Sequence, residues 1–244
     1  MHICILETDT PTKDESEHDS YGKIFEELFE FAAKELQPPI DMQVSSAYVV
    51  EGKYPQNLDK IDGIVITGSK FDAHDEETKW ILDLVSWLDR TWKENKNVKM
   101  SGVCFGHQIL ARMLGGELEA GKDWELSLTE LNLTDDGKKI FGTKESTISL
   151  HQMHSDCVTK APEGCKVWAS SEHTEIQGLY IPNRLFTTQG HLGFDEQMVN
   201  ANLDARVEKD LMEKEEAEEA KETSHHEHDG LTVAKAILRF IKED

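Results

Sequence analysis

The sequence lacks an apolar run long enough to cross a membrane, and it has few basic residues. No stretch approaches the roughly 18 consecutive apolar residues that a membrane span requires. The N-terminus runs from Met1 straight into charge at Glu7, without the basic start and long apolar run of a signal peptide. Lysine and arginine number 26 against 48 acidic residues, a formal net charge of −22. With no local basic patch, neither nucleic acid nor a membrane is an expected partner.

Cysteine is also scarce, and the four cysteines show no paired spacing. Cys4, Cys104, Cys157 and Cys165 fit neither a zinc ribbon nor a disulfide framework. This pattern suits a reducing compartment, so we expect a cytoplasmic protein, or one shared between cytoplasm and nucleus. There are no internal repeats, and 244 residues with 38% hydrophobic content can bury a sizeable core. We expect a single domain over residues 1–244.

Apolar runs alternate with amphipathic segments in the first half of the chain. Strands are predicted at residues 2–6, 42–50, 61–66 and 98–103, and helices at residues 21–36, 80–92 and 107–114. Such alternation is typical of an α/β fold with a mainly parallel open sheet flanked by helices. Residues 117–188 show shorter strands separated by turn residues, which predicts a small antiparallel excursion attached to the sheet. A last core strand is predicted at residues 184–188.

The C-terminal part carries an acidic segment at residues 204–229, with eleven acidic and four basic side chains. Its apolar stripe fades after Met212, so its first half is predicted to be a surface helix and its second half to be mobile. A solvated face is favoured over a partner-docking surface, because the stripe is narrow and short. An amphipathic helix at residues 231–241 is predicted to close the chain.

The segment Gly102-Val103-Cys104-Phe105-Gly106 places a cysteine between two glycines, after an apolar strand and before a helix. This is the cysteine form of the Gly-x-Ser-x-Gly nucleophile elbow. The tight turn strains the backbone of the nucleophile, and glycines leave room for neighbouring chain. The helix N-terminus favours the thiolate and should lower the pKa of Cys104. A buried packing cysteine is the alternative, but the predicted strand end, where ligands bind in open α/β sheets, favours catalysis.

Three segments together resemble class I glutamine amidotransferases of the triad type, over nearly the whole chain. They are the nucleophile motif at residues 102–108, the oxyanion loop Thr67-Gly68-Ser69 and the histidine motif Gln189-Gly190-His191. Residues 7–11 and 152–156 further resemble stand-alone members, including fungal amidotransferase-like proteins and plant γ-glutamyl peptidases. The resemblance implies a flavodoxin-like amidotransferase fold that needs no cofactor.

The resemblance also implies a set of functional residues. Cys104 would attack the side-chain amide carbonyl of a γ-glutamyl substrate, and His191 would accept and return the proton. The backbone amides of Gly68, Ser69 and Phe105 would stabilise the oxyanion. The amino-acid end of the substrate would be held by Gln108, His154, Ser155 and Asp156.

One position departs from the family pattern. The family follows its histidine with Pro-Glu, and the glutamate orients the imidazole, whereas this chain has Leu192-Gly193. Losing the orienting acid of a serine triad costs about 10⁴ in rate, but a cysteine can pair with the imidazole without a third group. We predict a working dyad, slow or rescued by Asp195; Glu196 lies just beyond, and Glu172 could approach from elsewhere. A catalytically impaired binding or regulatory protein, or a repurposed enzyme, is the alternative.

Two histidine groups raise the question of a metal site. His151 and His154 are three residues apart, and His225, His226 and His228 form a cluster. His-rich tracts do bind metals loosely. However, the first pair falls in a segment that the resemblance assigns to the substrate, and the second lies in an acidic, exposed stretch. We therefore predict no metal.

Two enzymatic functions follow from these residues. One is a glutaminase that works with a separate synthase subunit. The other is a stand-alone hydrolase of small γ-glutamyl peptides such as glutathione conjugates. A more distant alternative is an α/β-hydrolase with a cysteine nucleophile, which expects an acid between nucleophile and histidine in chain order and does not account for Thr67-Gly68-Ser69.

Overall fold

A computed structural model describes residues 1–121 and 123–243, which are built around a nine-stranded sheet. The strands are β1 (His2–Glu7), β2 (Gln43–Tyr48), β3 (Gly63–Ile66), β4 (Lys99–Val103), β5 (Glu117–Glu119), β6 (Glu125–Leu133), β7 (Thr147–His154), β8 (Cys157–Lys160), β9 (Lys166–Ser170), β10 (Gly178–Ile181) and β11 (Leu185–Thr188). The helices are α1 (Tyr21–Glu35), α2 (Lys79–Glu94), α3 (Phe105–Met113), α4 (Asp135–Phe141), α5 (Glu196–Glu208), α6 (Lys214–Lys221) and α7 (Gly230–Lys242).

The sheet has the strand order β2-β1-β3-β4-β11-β10-β9-β6-β7. The first five strands are parallel to one another, and the remaining four continue the same sheet with antiparallel pairing. Strands β5 and β8 form a separate antiparallel ribbon. The predicted α/β fold with a mainly parallel sheet and an antiparallel part is confirmed. Most of the antiparallel part extends the main sheet, because β10 pairs directly with β11.

The core is divided between the two faces of the sheet. Along β1, Ile3 and Ile5 pack with the apolar sides of α1 and α7, while Cys4 and Leu6 pack with α2 and α3. This division follows from the two-residue period of a strand, which sends alternate side chains to opposite faces. A strand that is buried on both faces must be apolar throughout, as the first residues of the chain are.

Helix α1 shows how local sequence sets an element. The Ser20 side chain accepts a hydrogen bond from the Lys23 backbone amide at 3.1 Å and so caps the helix N-terminus. Phe25, Phe29 and Ala32 then recur at helical spacing and are buried against the sheet. The predicted bounds agree with the structure to within one residue at the end of α1.

The acidic segment contains the C-terminal part of α5 and all of α6. Met212 and Ala217 are buried, in an apolar cluster with Met153 and Met198. The second half, predicted to be mobile, therefore includes a short helix with an apolar contact to the body of the protein. None of the helices in the described residues has both the length and the hydropathy that a membrane crossing requires.

The glycines of the elbow are required by close packing. A Cβ atom on Gly106 would lie 2.3 Å from the Ile66 carbonyl oxygen, and one on Gly102 would lie 2.3 Å from the Gly106 carbonyl group. Real Cβ atoms do not approach backbone so closely. Strand β3, strand β4 and the first turn of α3 can thus meet only where these two residues lack side chains.

We therefore predict that Gly106→Ala lowers the free energy of unfolding by about 3 kcal/mol, because backbone must move to admit the methyl group. The matched control is Gly193→Ala, whose Cβ would meet Ile24 and Leu28 at an ordinary 3.6 Å. That variant should lose less than about 0.5 kcal/mol. Thermal or urea unfolding of both proteins measures the difference, and equal losses would refute the packing argument.

Candidate active site

Cys104 and His191 follow neighbouring strands of the parallel part of the sheet. Cys104 comes directly after β4, and His191 lies three residues beyond β11. The two strands pair in parallel with Val103 opposite Thr188, and the Cys104 amide donates to the Thr188 carbonyl at 2.9 Å. The carboxyl ends of parallel strands meet at the same sheet edge, so the chain brings both residues to one place.

Gly68, which follows β3, separates the two side chains. A Cβ atom at Gly68 would lie 3.1 Å from His191 Cε1 and 3.7 Å from Cys104 Cβ. All three residues line one cavity of about 510 Å³. The structure therefore brings together the thiol, the imidazole and the oxyanion loop that the sequence motifs predict.

The backbone of Cys104 has the strained geometry of an elbow. Its φ of 52° and ψ of −106° are rare for a residue with a side chain. Helix α3 begins at the next residue, so the helix N-terminus lies beside the sulfur. The elbow is thus held by its surroundings, since nothing local favours this conformation.

Burial has the largest effect on the pKa of the Cys104 thiol. It raises the pKa of the thiol to about 11, and a hydrogen bond from the Phe105 amide, the charge of Arg206 and the side chain of Gln189 lower it by less. The helix terminus acts in the direction expected from the sequence, but its effect is smaller than that of desolvation. Cys104 is therefore a neutral thiol in the free protein at neutral pH.

Gln189 is a contact of the nucleophile that sequence reasoning did not identify. Gln108 Nε2 donates to the Asp156 carbonyl at 2.8 Å and to Gln189 Oε1 at 3.2 Å. Because the Asp156 carbonyl can only accept, the Gln108 amide is its donor and Gln189 Oε1 is an acceptor. Gln189 Nε2 is buried without a hydrogen-bond partner in the described residues, and the side chain lowers the pKa of Cys104. Gln189 is fully buried. Its place in the Gln-Gly-His motif was the only signal in the sequence.

His191 is a buried neutral imidazole. Burial, together with the charges of His154, Arg206 and His151, lowers its pKa to about 3. Its ring stacks on Phe194 with 3.8 Å between centroids and an interplanar angle of 17°. Within the described residues neither ring nitrogen has a hydrogen-bond partner. Phe194 therefore orients the ring by packing on its face, whereas the carboxylate of the family pattern would bond a ring nitrogen at its edge.

The acidic residues considered for the third position lie elsewhere. Asp195 Oδ1 accepts from the Met198 amide at 2.8 Å and caps the N-terminus of α5. Glu172 and Glu196 are exposed. A Cβ at Gly193 would face Ile24 and Leu28 of α1. The structure thus does not bring Asp195 to the His191 ring as a hydrogen-bond partner.

The oxyanion loop is fixed by Thr8 at the end of β1. The Thr8 hydroxyl donates to the Gly68 carbonyl at 2.9 Å, and the Ser69 hydroxyl donates to the Thr8 carbonyl at 2.9 Å. These bonds hold Gly68 and Ser69 across the cavity from the start of α3, where Phe105 lies. The role of the three amides as oxyanion donors stays a prediction.

The four predicted substrate residues divide into two groups. Ser155 lines the cavity, as predicted for a substrate contact. Gln108, His154 and Asp156 stand behind it: His154 bonds Glu125 at 2.9 Å and the Asp156 carbonyl at 3.0 Å, and the Asp156 carboxylate bonds His74 at 3.0 Å. This polar network supports the cavity wall.

The histidine clusters are part of the same region. The His191 amide donates to the His151 carbonyl at 2.9 Å, and the His151 ring packs against His228 with 4.9 Å between centroids. His225 and His226 pack against each other. In residues 1–121 and 123–243, no group of three or more His, Cys, Asp or Glu side chains is placed to hold a metal ion.

The sequence model of the family described as Glutamine amidotransferase class-I matches residues 33–202, more than half of the chain. The chain belongs to the class I glutamine amidotransferase family. A glutamine amidotransferase-like protein of Schizosaccharomyces pombe is 32% identical over 249 residues, which cover 99% of each chain. Gamma-glutamyl peptidase 3 of Arabidopsis thaliana is 32% identical over 203 residues, which cover 80% of each chain.

A solved glutamine amidotransferase from Thermotoga maritima superposes with a TM-score of 0.74. The match covers 99% of this chain and 98% of that chain at 18% identity. At this identity the likeness concerns the fold. It agrees with the sheet and the flanking helices of this class I glutamine amidotransferase family member.

For this family member we predict slow alkylation of Cys104 at neutral pH. With a thiol pKa of about 11, only about 10⁻⁴ of the side chain is thiolate at pH 7. Since the raised pKa shifts ionisation to high pH, the rate of labelling by iodoacetamide should rise about tenfold per pH unit up to about pH 10. Mass spectrometry of the Cys104 peptide measures it, and a rate that levels off below pH 8 would contradict the neutral thiol.

Proposed function

We propose that the chain is a glutamine amidotransferase-like hydrolase that cleaves a γ-glutamyl amide through a thioester on Cys104. The single observation that carries the proposal is the placement of Cys104 and His191 beside Gly68 in the lining of one cavity. The names of the relatives, which include γ-glutamyl peptidases, support γ-glutamyl compounds as the substrate class.

At neutral pH the two residues are in the protonation states from which general-base catalysis starts, although the low pKa of His191 and the high pKa of Cys104 make the proton transfer unfavourable in the free site. At neutral pH His191 is an unprotonated base and Cys104 is a thiol. In the proposed first step, the imidazole takes the thiol proton while the sulfur attacks the amide carbonyl carbon. The amides of Gly68, Ser69 and Phe105 stabilise the oxyanion, and the amine leaves with the proton that His191 returns.

The second step releases the acid. His191 takes a proton from water, whose oxygen attacks the thioester carbonyl. The carbon–sulfur bond breaks, His191 returns its proton to the Cys104 sulfur, and the new carboxylic acid of the glutamate moiety loses its remaining proton to solvent as it leaves. The Gln189 side chain lowers the pKa of the Cys104 thiol, which favours the thiolate whenever it is the leaving group.

A catalytically impaired binding protein is the second candidate, and the observation that favours it is the missing carboxylate at His191. Without a hydrogen-bonded acid, the imidazolium formed during each step has no counter-charge. Phe194 supplies orientation but no charge. The proposed enzyme is therefore slower than a full triad, and the two candidates differ in whether glutamate is released at all.

The test is release of free glutamate from glutamine and from glutathione by the purified protein. We expect turnover of at least one substrate, and its loss to background in Cys104→Ala. Cys165→Ala is the matched control, because Cys165 is half-buried and does not line the cavity. Turnover of glutathione alone would argue against a synthase-dependent glutaminase. No release from either substrate, or full activity in Cys104→Ala, would refute the proposal.

We also predict that Phe194→Leu lowers kcat roughly tenfold to a hundredfold with a smaller effect on KM. Leucine keeps apolar volume but loses the flat face that aligns the His191 ring, and small misplacements of a catalytic group are costly. Phe194→Tyr keeps the face and should retain most of the activity. Steady-state kinetics decide, and equal kcat values for the leucine variant and the unmodified protein would exclude an orienting role.

A further inference from the structure

The cavity has a second polar end, away from the elbow. It is formed by the segment between β1 and α1 and by α5, and its polar lining includes Glu15, Tyr21, Asn202, Arg206 and Lys209. None of these residues belongs to a family motif identified in the sequence. The charge of Arg206 reaches both Cys104 and His191, because it lowers the pKa of each.

At this end of the cavity the Asn202 side chain lies between the Glu15 carboxylate and the Arg206 guanidinium and bonds to both. Its Nδ2 donates to Glu15 Oε1 at 2.7 Å, and its Oδ1 accepts from Arg206 Nη1 at 3.0 Å. Glu15 is buried, and it also accepts hydrogen bonds from the Thr12 amide and the Tyr21 hydroxyl. The Glu15 carboxylate thus accepts hydrogen bonds from three other residues, and no hydrogen bond joins it directly to the Arg206 guanidinium.

Only some of the N–H donors of the Arg206 guanidinium have hydrogen-bond partners within the protein. Nη1 donates to the Asn202 carbonyl at 2.9 Å and to its side-chain oxygen, and the group lies 5.0 Å from the ring centroid of Trp124. Nε is buried without a partner. Within the described residues no carboxylate forms an ion pair with Arg206, and burial lowers its pKa.

Arg206 is a half-buried cation without an ion pair in the described residues. The protein has 48 acidic residues and a net charge of −22, so carboxylates are abundant. A partly desolvated charge without a counter-charge costs free energy. Lys209, which follows the last residue of α5, also lines the cavity and has no ion-pair partner in the described part of the chain. The two cations leave an anion-binding position open at the cavity wall.

We propose that Arg206, assisted by Lys209, binds a carboxylate of the substrate. A planar guanidinium with free N–H groups matches a carboxylate in a two-point hydrogen bond. The identity of the substrate rests on the proposed function, which supplies two such groups. One is the α-carboxylate of the γ-glutamyl moiety, and the other is the C-terminal carboxylate of a γ-glutamyl peptide, which glutamine lacks.

The test measures binding without turnover, by titration calorimetry on the Cys104→Ala protein. The ligands are glutamine, 4-aminobutanamide, which is glutamine without its α-carboxylate, γ-glutamylglycine and the C-terminal amide of that dipeptide. Arg206→Met keeps an apolar side chain against Trp124 and removes the charge. Arg90→Met is the matched control, because Arg90 is exposed on α2 and does not line the cavity.

We expect Arg206→Met to weaken binding roughly tenfold to a hundredfold for ligands that carry the recognised carboxylate, and Arg90→Met to change it little. A loss shared by glutamine and both dipeptides, but not by 4-aminobutanamide, assigns Arg206 to the α-carboxylate. A loss confined to γ-glutamylglycine assigns it to the leaving group. Arg206→Lys keeps the positive charge but loses the planar guanidinium, so its affinity should lie between those of the Cys104→Ala protein and its Arg206→Met variant. It replaces Arg206→Met in the test if the methionine variant is unstable.

Unchanged affinities in Arg206→Met, equal losses in Arg206→Met and Arg90→Met, or no binding of any ligand to the Cys104→Ala protein would overturn the proposal. Failure of the proposed function is a separate result. It would appear as absent glutamate release in the unmodified protein, even where Arg206-dependent binding is measured.

Discussion

The close approach of three backbone segments at Gly106 governs the geometry of the site. The carbonyl of Ile66, at the end of β3, occupies the space that a side chain on Gly106 would need. Because β3 and α3 meet there, the turn between β4 and α3 has no room to relax, and Cys104 is held at a φ of 52°. The same contact brings the loop after β3, with Gly68, beside the sulfur. The nucleophile and its facing loop are therefore positioned by packing of the scaffold.

Burial has opposite consequences for the two reacting groups. It removes the charge from Cys104 by raising the pKa and from His191 by lowering it. The free site is thus a neutral pair, and the ion pair arises only as the proton moves. Phe105 and Gln189 lower the pKa of the Cys104 thiol, so both favour negative charge on the sulfur. No carboxylate in the described residues is hydrogen-bonded to the imidazole, where positive charge develops, and this asymmetry distinguishes the site from a complete triad.

Much of the fold and part of the site could be predicted from sequence because their signals are local. The apolar run of β1, the helical spacing in α1 and the glycines around Cys104 each lie within a short window. Gln189 and Arg206 could not be assigned, because their effects on the pKa of Cys104 come from segments about a hundred residues away. The loss of the acid at Gly193 was visible, but its replacement by ring packing on Phe194 depends on the path of the chain after β11. The antiparallel strands were expected, yet their continuity with the main sheet depends on non-local pairing of β10 with β11.

The stacking of His191 on Phe194 also bears on which ring nitrogen carries hydrogen. A carboxylate bonded to one nitrogen would enforce a single tautomer, whereas an aromatic face interacts equally with both. Stacking on Phe194 by itself therefore does not select one neutral tautomer of His191. Only the tautomer with a lone pair towards the sulfur can remove its proton, so the incoming substrate, through its own hydrogen bonds, takes part in selecting the reactive form of the base.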